Sequence, residues 1–201
     1  MRLVSSISSL VMLAALVLCL TSCQGKTLGE MLWPDIYDPY FQLTEQWSRK
    51  GVVRMGLESE LSFIALLKST EWRKAYVARH ARLQSFSAQE TEKMLTDQMQ
   101  AHHEATDVVL AVASTNPDHS RLTHRTSRWR ILMLTGDGQQ IEPLEKRPVH
   151  WSTLELQAYF PGYHQWQRYF AVRFPPDLVG PLTLVISGPP GKTSLVWDAY
   201  E

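Results

Sequence analysis

Between Gly51 and Lys68 the apolar positions recur every second residue. Val53, Met55, Leu57, Ser59, Leu61, Phe63, Ala65 and Leu67 share one side, with Glu58, Glu60 and Lys68 on the other. That period predicts a pair of half-buried strands with a solvated outer face, bent near Gly56. The run Leu61 to Leu67 is short enough to suit a helix as well. At Thr70 the pattern changes. Thr70 followed by Glu71 reads as an N-cap, and Trp72, Ala75, Tyr76, Arg79 and Leu83 fit a helix to about Leu83. Ser87-Ala88-Gln89-Glu90 has capping-box spacing, in which the serine hydroxyl and the glutamate carboxylate each satisfy an orphan backbone amide. A second helix is predicted to about Glu104, with Met94, Leu95, Gln98 and Met99 toward one side. The two helices make a helical hairpin.

From Val108 onward the chain reads as strands. Val108 to Ala113 and Trp129 to Leu134 are separated by a turn signal at Asn116-Pro117-Asp118, and Gly136-Asp137-Gly138 marks a tight hairpin turn. Gln139 to Arg147 is the expected partner of that hairpin, placed at an edge or a bulge by Pro143, which has no amide proton for the ladder. Thr153 to Phe160 reads as one short helix closed by Pro161-Gly162. Trp166, Arg168, Phe170, Val172 and Phe174 then alternate with Gln167, Tyr169, Ala171 and Arg173, and Leu182 to Ile186 and Leu195 to Trp197 complete the strands. Roughly eight short strands with one early helical insertion imply an α+β class, an antiparallel β-sandwich-like domain with an inserted helical hairpin. With no internal repeat or second linker, one domain is expected from about Trp33 to Glu201. Its first stretch, Trp33 to Phe41, holds two prolines that suit a helix interior poorly and should wrap against the domain. The rings of Trp33, Tyr37 and Tyr40 also suit a membrane headgroup zone.

The N-terminus has a different character. Met1-Arg2 supplies a positive charge, and Leu3 to Leu20 carries no charged residue. The apolar centre Leu10 to Leu20 has the length of a secretory signal and falls short of the ~20 apolar residues of a membrane-spanning helix. The segment ends in Leu20-Thr21-Ser22-Cys23, which resembles the bacterial lipobox of lipoprotein precursors. The resemblance implies cleavage before Cys23, a diacylglycerol on its thiol and usually a third acyl chain on the freed amine. Such an anchor holds far more firmly than one chain. Residues 1–22 would then be the signal peptide, and 23–32 the lipidated cysteine with a polar tether containing Gly25 and Gly29. Gln24 stands where an Asp favours inner-membrane retention in enterobacterial lipoproteins, so the resemblance implies an outer-membrane, periplasm-facing protein. Cleavage would also remove Cys19, leaving no intrachain disulfide. Stability must then come from core burial.

Composition narrows the chemistry. The 201 residues are 44% hydrophobic, with 20 basic and 20 acidic side chains, an ordinary globular balance. Arg121 to Arg130 is short and interleaved with Leu122 and Trp129, which argues against nucleic acid as a partner. Ser187 to Ser194 superficially resembles a phosphate loop. Only Pro189 and Pro190 separate its first glycine from Gly191-Lys192-Thr193, where four residues are needed, and prolines offer no amide protons. It reads as a hairpin loop, with no nucleotide. His102 and His103 are adjacent and project about 100° apart on a helix. With His80, His119 and His124 scattered and no His-Glu-x-x-His, the histidines read as solvated or capping groups and no metal is expected. The chain has no Gly-x-Ser-x-Gly turn, and Glu58 and Glu60 fall on a solvated strand face, so neither a catalytic residue nor a cofactor is expected.

Aromatic residues remain. Trp151, Tyr159, Phe160, Tyr163, His164, Trp166 and Tyr169 lie close in sequence. Trp166, Phe170 and Phe174 at period two belong in a core, leaving Tyr159, Tyr163 and Tyr169 as the rings expected to be exposed and to contact a ligand. The expected role is a lipid-anchored, non-catalytic binding or envelope-assembly module whose partner is an envelope protein or a glycan. A glycan or peptidoglycan-binding module would need an exposed aromatic shelf, and a periplasmic hydrolase a pocket collecting histidines and carboxylates. A Cys23→Ala protein is expected to lose metabolic palmitate label and to keep its first 22 residues; normal processing and labelling of that variant would remove the anchor.

Overall fold

The computed structural model describes residues 38–55, 59–114, 120–124 and 127–200. Cys23, the tether, Trp33, Tyr37, Gly56, Leu57, Glu58, the turn at 116–118 and His119 lie outside them, as do the side chains of Met55, Ser59 and Glu60. Helix α1 spans Pro39–Gln46. Pro39 stands in its first turn, where a missing amide proton costs nothing, and Asp38 caps it by accepting from Tyr40 N at 2.9 Å. The proline-rich stretch thus starts a helix. Tyr40 is buried and donates from its hydroxyl to Tyr159 O at 3.1 Å, so it does not form the interfacial ring the sequence suggested.

Strands β1 (Ser48–Met55) and β2 (Ser59–Leu67) pair antiparallel, with Val53 opposite Leu61 and Gly51 opposite Phe63. The period-two reading holds on the inner face, where Val53, Leu61, Phe63, Ala65 and Leu67 are all buried. Helices α2 (Thr70–Gln84) and α3 (Ala88–Glu104) follow as the hairpin. Ser69, not Thr70, caps α2, accepting from Trp72 N at 3.1 Å. The capping box of α3 is formed as expected, Ser87 N donating to Glu90 Oε2 at 2.7 Å and Glu90 N to Ser87 Oγ at 3.3 Å.

Strand β3 (Thr106–Ser114) returns beside β2; β4 (Arg130–Thr135), β5 (Gln140–Ile141), β6 (Glu145–Pro148), helix α4 (Thr153–Tyr159), β7 (Gln167–Phe174), β8 (Leu182–Gly188) and β9 (Gly191–Trp197) complete the fold. Every strand pairing is antiparallel, giving a five-stranded sheet β1-β2-β3-β7-β6 and a four-stranded sheet β5-β4-β8-β9. Their inner faces share one core, in which Phe63, Leu110, Val112, Val172 and Phe174 meet Ile131, Met133, Leu184, Ile186 and Trp197. The fold is α+β, two sandwich-like antiparallel sheets with a helical insertion.

Two expectations change. The partner strand proposed for Gln139 to Arg147 divides: β5 pairs with β4, and beyond Pro143 the chain crosses to the other sheet, where β6 pairs with β7. Pro143 marks the crossover, a place where no ladder amide is lost. The outer face of the five-stranded sheet is solvated only in part: Lys50, Val52 and Arg54 on β1 are exposed, but the centre is covered. Leu66, Val109, Ala111 and Tyr169 on that face are buried with Tyr40, Phe41, Trp72, Leu156 and Tyr159. Helices α1, α2 and α4 cover it, so Lys68 is half-buried. The signal for this lay in the consecutive apolar residues Leu66-Leu67 and Val108 to Ala111, because unbroken runs mark strands covered on both sides.

One ion pair joins the helical layer to the sheet. Arg73 of α2 is 1% exposed, and its Nη2 lies 2.7 Å from Asp107 Oδ2 on β3. Its Nη1 donates to Gln98 Oε1 of α3 at 3.1 Å and its Nε to Lys68 O at 3.3 Å, while Asp107 Oδ1 accepts from Arg173 Nε at 3.1 Å. On the far side the edges of the two sheets close on each other. A Cβ at Gly51 would lie 2.5 Å from Thr193 Oγ1 and 2.7 Å from Leu195 Cδ2, so β1 and β9 touch only because residue 51 has no side chain. Asp107→Ala, which strands a buried guanidinium, is expected to cost about 3–5 kcal/mol in urea unfolding. Arg73→Met combined with Asp107→Leu should recover most of that; equal losses in the two proteins would mean that an unpaired charge is not the cause.

Candidate functional site

The connection from β6 to α4 builds one wall of an open cleft. Val149 N donates to Tyr169 O at 2.8 Å, which keeps the chain against β7 just past the end of β6. The turn into α4 is fixed by a second capping box, which the sequence reading overlooked: Ser152 N donates to Glu155 Oε2 at 2.8 Å and Glu155 N to Ser152 Oγ at 3.2 Å. The backbone amide of Ser152, and then its hydroxyl, hold the Glu155 carboxyl below its ordinary titration range, so it is ionised. Between this turn, β7 and the 121–124 segment lies a cleft of about 880 Å³. Buried Leu156, Tyr169 and Phe170 line it together with His150, Trp151, Arg168, Arg121 and His124. Cationic and imidazole groups thus outnumber the single carboxylate, Glu155. The combination suits a ligand with an apolar or planar part and an anionic or hydrogen-bonding part.

A smaller cavity of about 80 Å³ shares Trp151 and Glu155 with this cleft. Its other lining residues are Lys68, Trp72, Tyr76, His80, Gln98, Tyr159 and Phe160. Lys68 Nζ stands 5.7 Å from the centre of the Trp72 ring. Burial pushes the Lys68 ammonium down from 10.5 to about 8, helped by the nearby Arg73, Arg147 and Arg173 and opposed by Asp107. Burial likewise pushes the Tyr76 hydroxyl up to about 12. Tyr159 Oη and His80 Nδ1 are hydrogen-bonded at 2.6 Å, with the two rings stacked.

No family model matches the chain, and no curated protein matches it. A solved protein of unknown function from Burkholderia pseudomallei, 9% identical, aligns over 85% of this chain and 87% of that one with a TM-score of 0.41, too distant to carry an argument.

The rings expected to be exposed are mostly covered. Tyr159 and Tyr169 are each 6% exposed, and Tyr163 is half-buried with its ring 6.3 Å from that of Tyr169. The alternation along β7 separated its two faces correctly, but α4 folds over the face taken to be outward. Trp166, expected in the core, is 74% exposed because it precedes β7 and stands outside the ladder. His102, read as a solvated or capping group, is half-buried between Thr70 Oγ1 at 3.1 Å and Tyr200 Oη at 3.4 Å. Burial, and next the charge of Arg73, lower its pKa. Among the described residues no three of His, Cys, Asp and Glu gather where a metal ion could sit. The segment resembling a phosphate loop is the β8–β9 hairpin, with Gly188 opposite Gly191. The residues the sequence reading missed are Lys68, Tyr76, Gln98, His150 and Arg168. Of these, Lys68 was signalled by the covered run that precedes it.

The depressed Lys68 has a thermodynamic consequence. Its folded pKa lies below its unfolded one, so burying the protonated amine opposes folding at neutral pH. That opposition is relieved as pH rises from about 8 to about 10.5, where the unfolded chain binds more protons than the folded one. Lys68→Met is therefore expected to be more stable than the wild type at pH 7, with the gap narrowing by pH 10. A gap independent of pH in paired denaturant titrations would show that Lys68 titrates normally.

Proposed function

We propose that the chain is a lipoprotein, anchored through Cys23 to a cell-envelope membrane and most consistent with the outer membrane, whose domain is a non-catalytic binding module for an envelope partner. The observation that carries the binding part is the open cleft beside α4, whose apolar base and basic rim are formed by side chains on β7 and on a capped helical turn. Rigid placement of that kind preorganises a surface for recognition. The anchoring part rests on the Leu20-Thr21-Ser22-Cys23 motif alone. Among the described residues no helix is long and apolar enough to cross a membrane.

A photo-crosslinking amino acid placed at exposed Arg168, and for comparison at exposed Lys192 on β9, tests the reading in living cells. A discrete envelope protein captured from position 168 and not from 192 supports it. Capture of glycan strands at 168 would select the peptidoglycan-binding form of the same module, and equal or absent capture at the two positions would remove the cleft as the binding surface.

A further inference from the structure

We infer that the small cavity beside the cleft is a carboxylate-binding subsite, in which the Lys68 ammonium, the Tyr76 hydroxyl and the Gln98 amide receive the carboxylate of a ligand whose apolar part lies in the cleft. This rests on the cleft being a binding site and names the chemistry of what enters it.

Three observations support the assignment. Among the described residues neither Lys68 Nζ nor Tyr76 Oη makes a hydrogen bond or a close ion pair; the ammonium stands over the face of Trp72 and Tyr76 packs on rings, with Asp107 and Glu155 acting on them at longer range. Gln98 spends its carbonyl oxygen on Arg73, which leaves its amide donors uncommitted. Three donors are therefore gathered around one cavity of about 80 Å³, whose single carboxylate, Glu155, already accepts from Ser152 N. These donors are half-buried and hold no protein acceptor, so a ligand that supplies one gains hydrogen bonds in a partly desolvated site.

The surrounding charge points the same way. Lys68 faces Arg73, His80 and Tyr76 on α2, Asp107 on β3, Arg147 on β6, Glu155 and Tyr159 on α4, and Arg173 on β7. Asp107 is already shared by Arg73 and Arg173, so the cations exceed the anions until a further negative group arrives. The cavity favours a carboxylate over a phosphate dianion on two grounds. One ammonium compensates one charge and not two, and the ionised Glu155 at the shared wall repels each added charge, which weighs twice on a dianion. The walls of Trp72, Phe160 and Trp151 exclude water around the pair, which strengthens it.

The test compares N-acetylphenylalanine with its neutral amide, which has nearly the same shape and lacks the charge, by calorimetry and by chemical-shift mapping on the full folded domain. The acid is expected to bind at least tenfold more tightly than the amide at pH 7, with shifts at Lys68 and Trp151. Its advantage should shrink as pH rises past about 8, where Lys68 of the free protein loses its proton. Lys68→Met should abolish the discrimination, and Tyr76→Phe, which removes one donor without touching charge, should reduce it severalfold while leaving the fold intact. Equal binding of acid and amide, discrimination that survives Lys68→Met, or no binding of either probe would each overturn the subsite. Crosslinking from position 168 would still stand in any of those cases, so the failure of this inference is separable from failure of the cleft itself.

Discussion

The buried guanidinium of Arg73 is the point on which the layers of this protein converge. A cation 1% exposed survives in a folded domain only if its charge and its donors are answered, and here the answers come from separate elements: Asp107 on β3, Gln98 on α3 and the carbonyl of Lys68 at the end of β2. The helical hairpin is thereby held to the sheet by directional bonds and not only by apolar contact. Asp107 cannot neutralise everything near it, because it also serves Arg173. The positive surplus left behind adds to burial, the larger cause, in depressing Lys68. A contact whose first role is architectural therefore sets the electrostatics of the adjoining cavity.

Aromatic packing does the rest of the work on the helical side. Trp72 stacks on Tyr76 with ring centres 5.2 Å apart, Tyr76 meets Tyr159 at 5.0 Å, and Trp151 stacks on Phe160 at 4.9 Å. Arg79 extends this layer, its guanidinium 4.2 Å from the centre of Phe41, paired with Asp38 and donating to Ala158 O at 2.8 Å. One arginine thus joins α1, α2 and α4, as Arg73 joins α2 and α3 to the sheet. Both are held in place by planar, multi-donor geometry that lysine lacks.

Much of the architecture was legible in the sequence because it depends on local signals. Alternation located β1, β2 and β7; Ser87 and Glu90 located the start of α3; Gly136-Asp137-Gly138 located a hairpin. What remained hidden depends on distant packing. Nothing in Thr153 to Phe160 says which surface that helix will cover, and so Tyr159 and Tyr169 were assigned to solvent. Trp166 continues the period of β7 in sequence but not in hydrogen bonding. The site residues come from β2, α2, α3, α4 and β7, and no spacing in one dimension brings Lys68, Gln98 and Tyr159 together.

Helix α3 has no fully buried residue along its 17 positions, and only Thr91, Met94, Leu95, Gln98, Met99, Ala101 and His102 are partly covered. Lifting it from α2 uncovers little apolar surface and breaks few bonds, so its opening costs far less than unfolding of the sheets. Gln98, one wall of the small cavity, belongs to this helix. The wall that Gln98 forms is therefore the part of the cavity that gives way at the lowest cost.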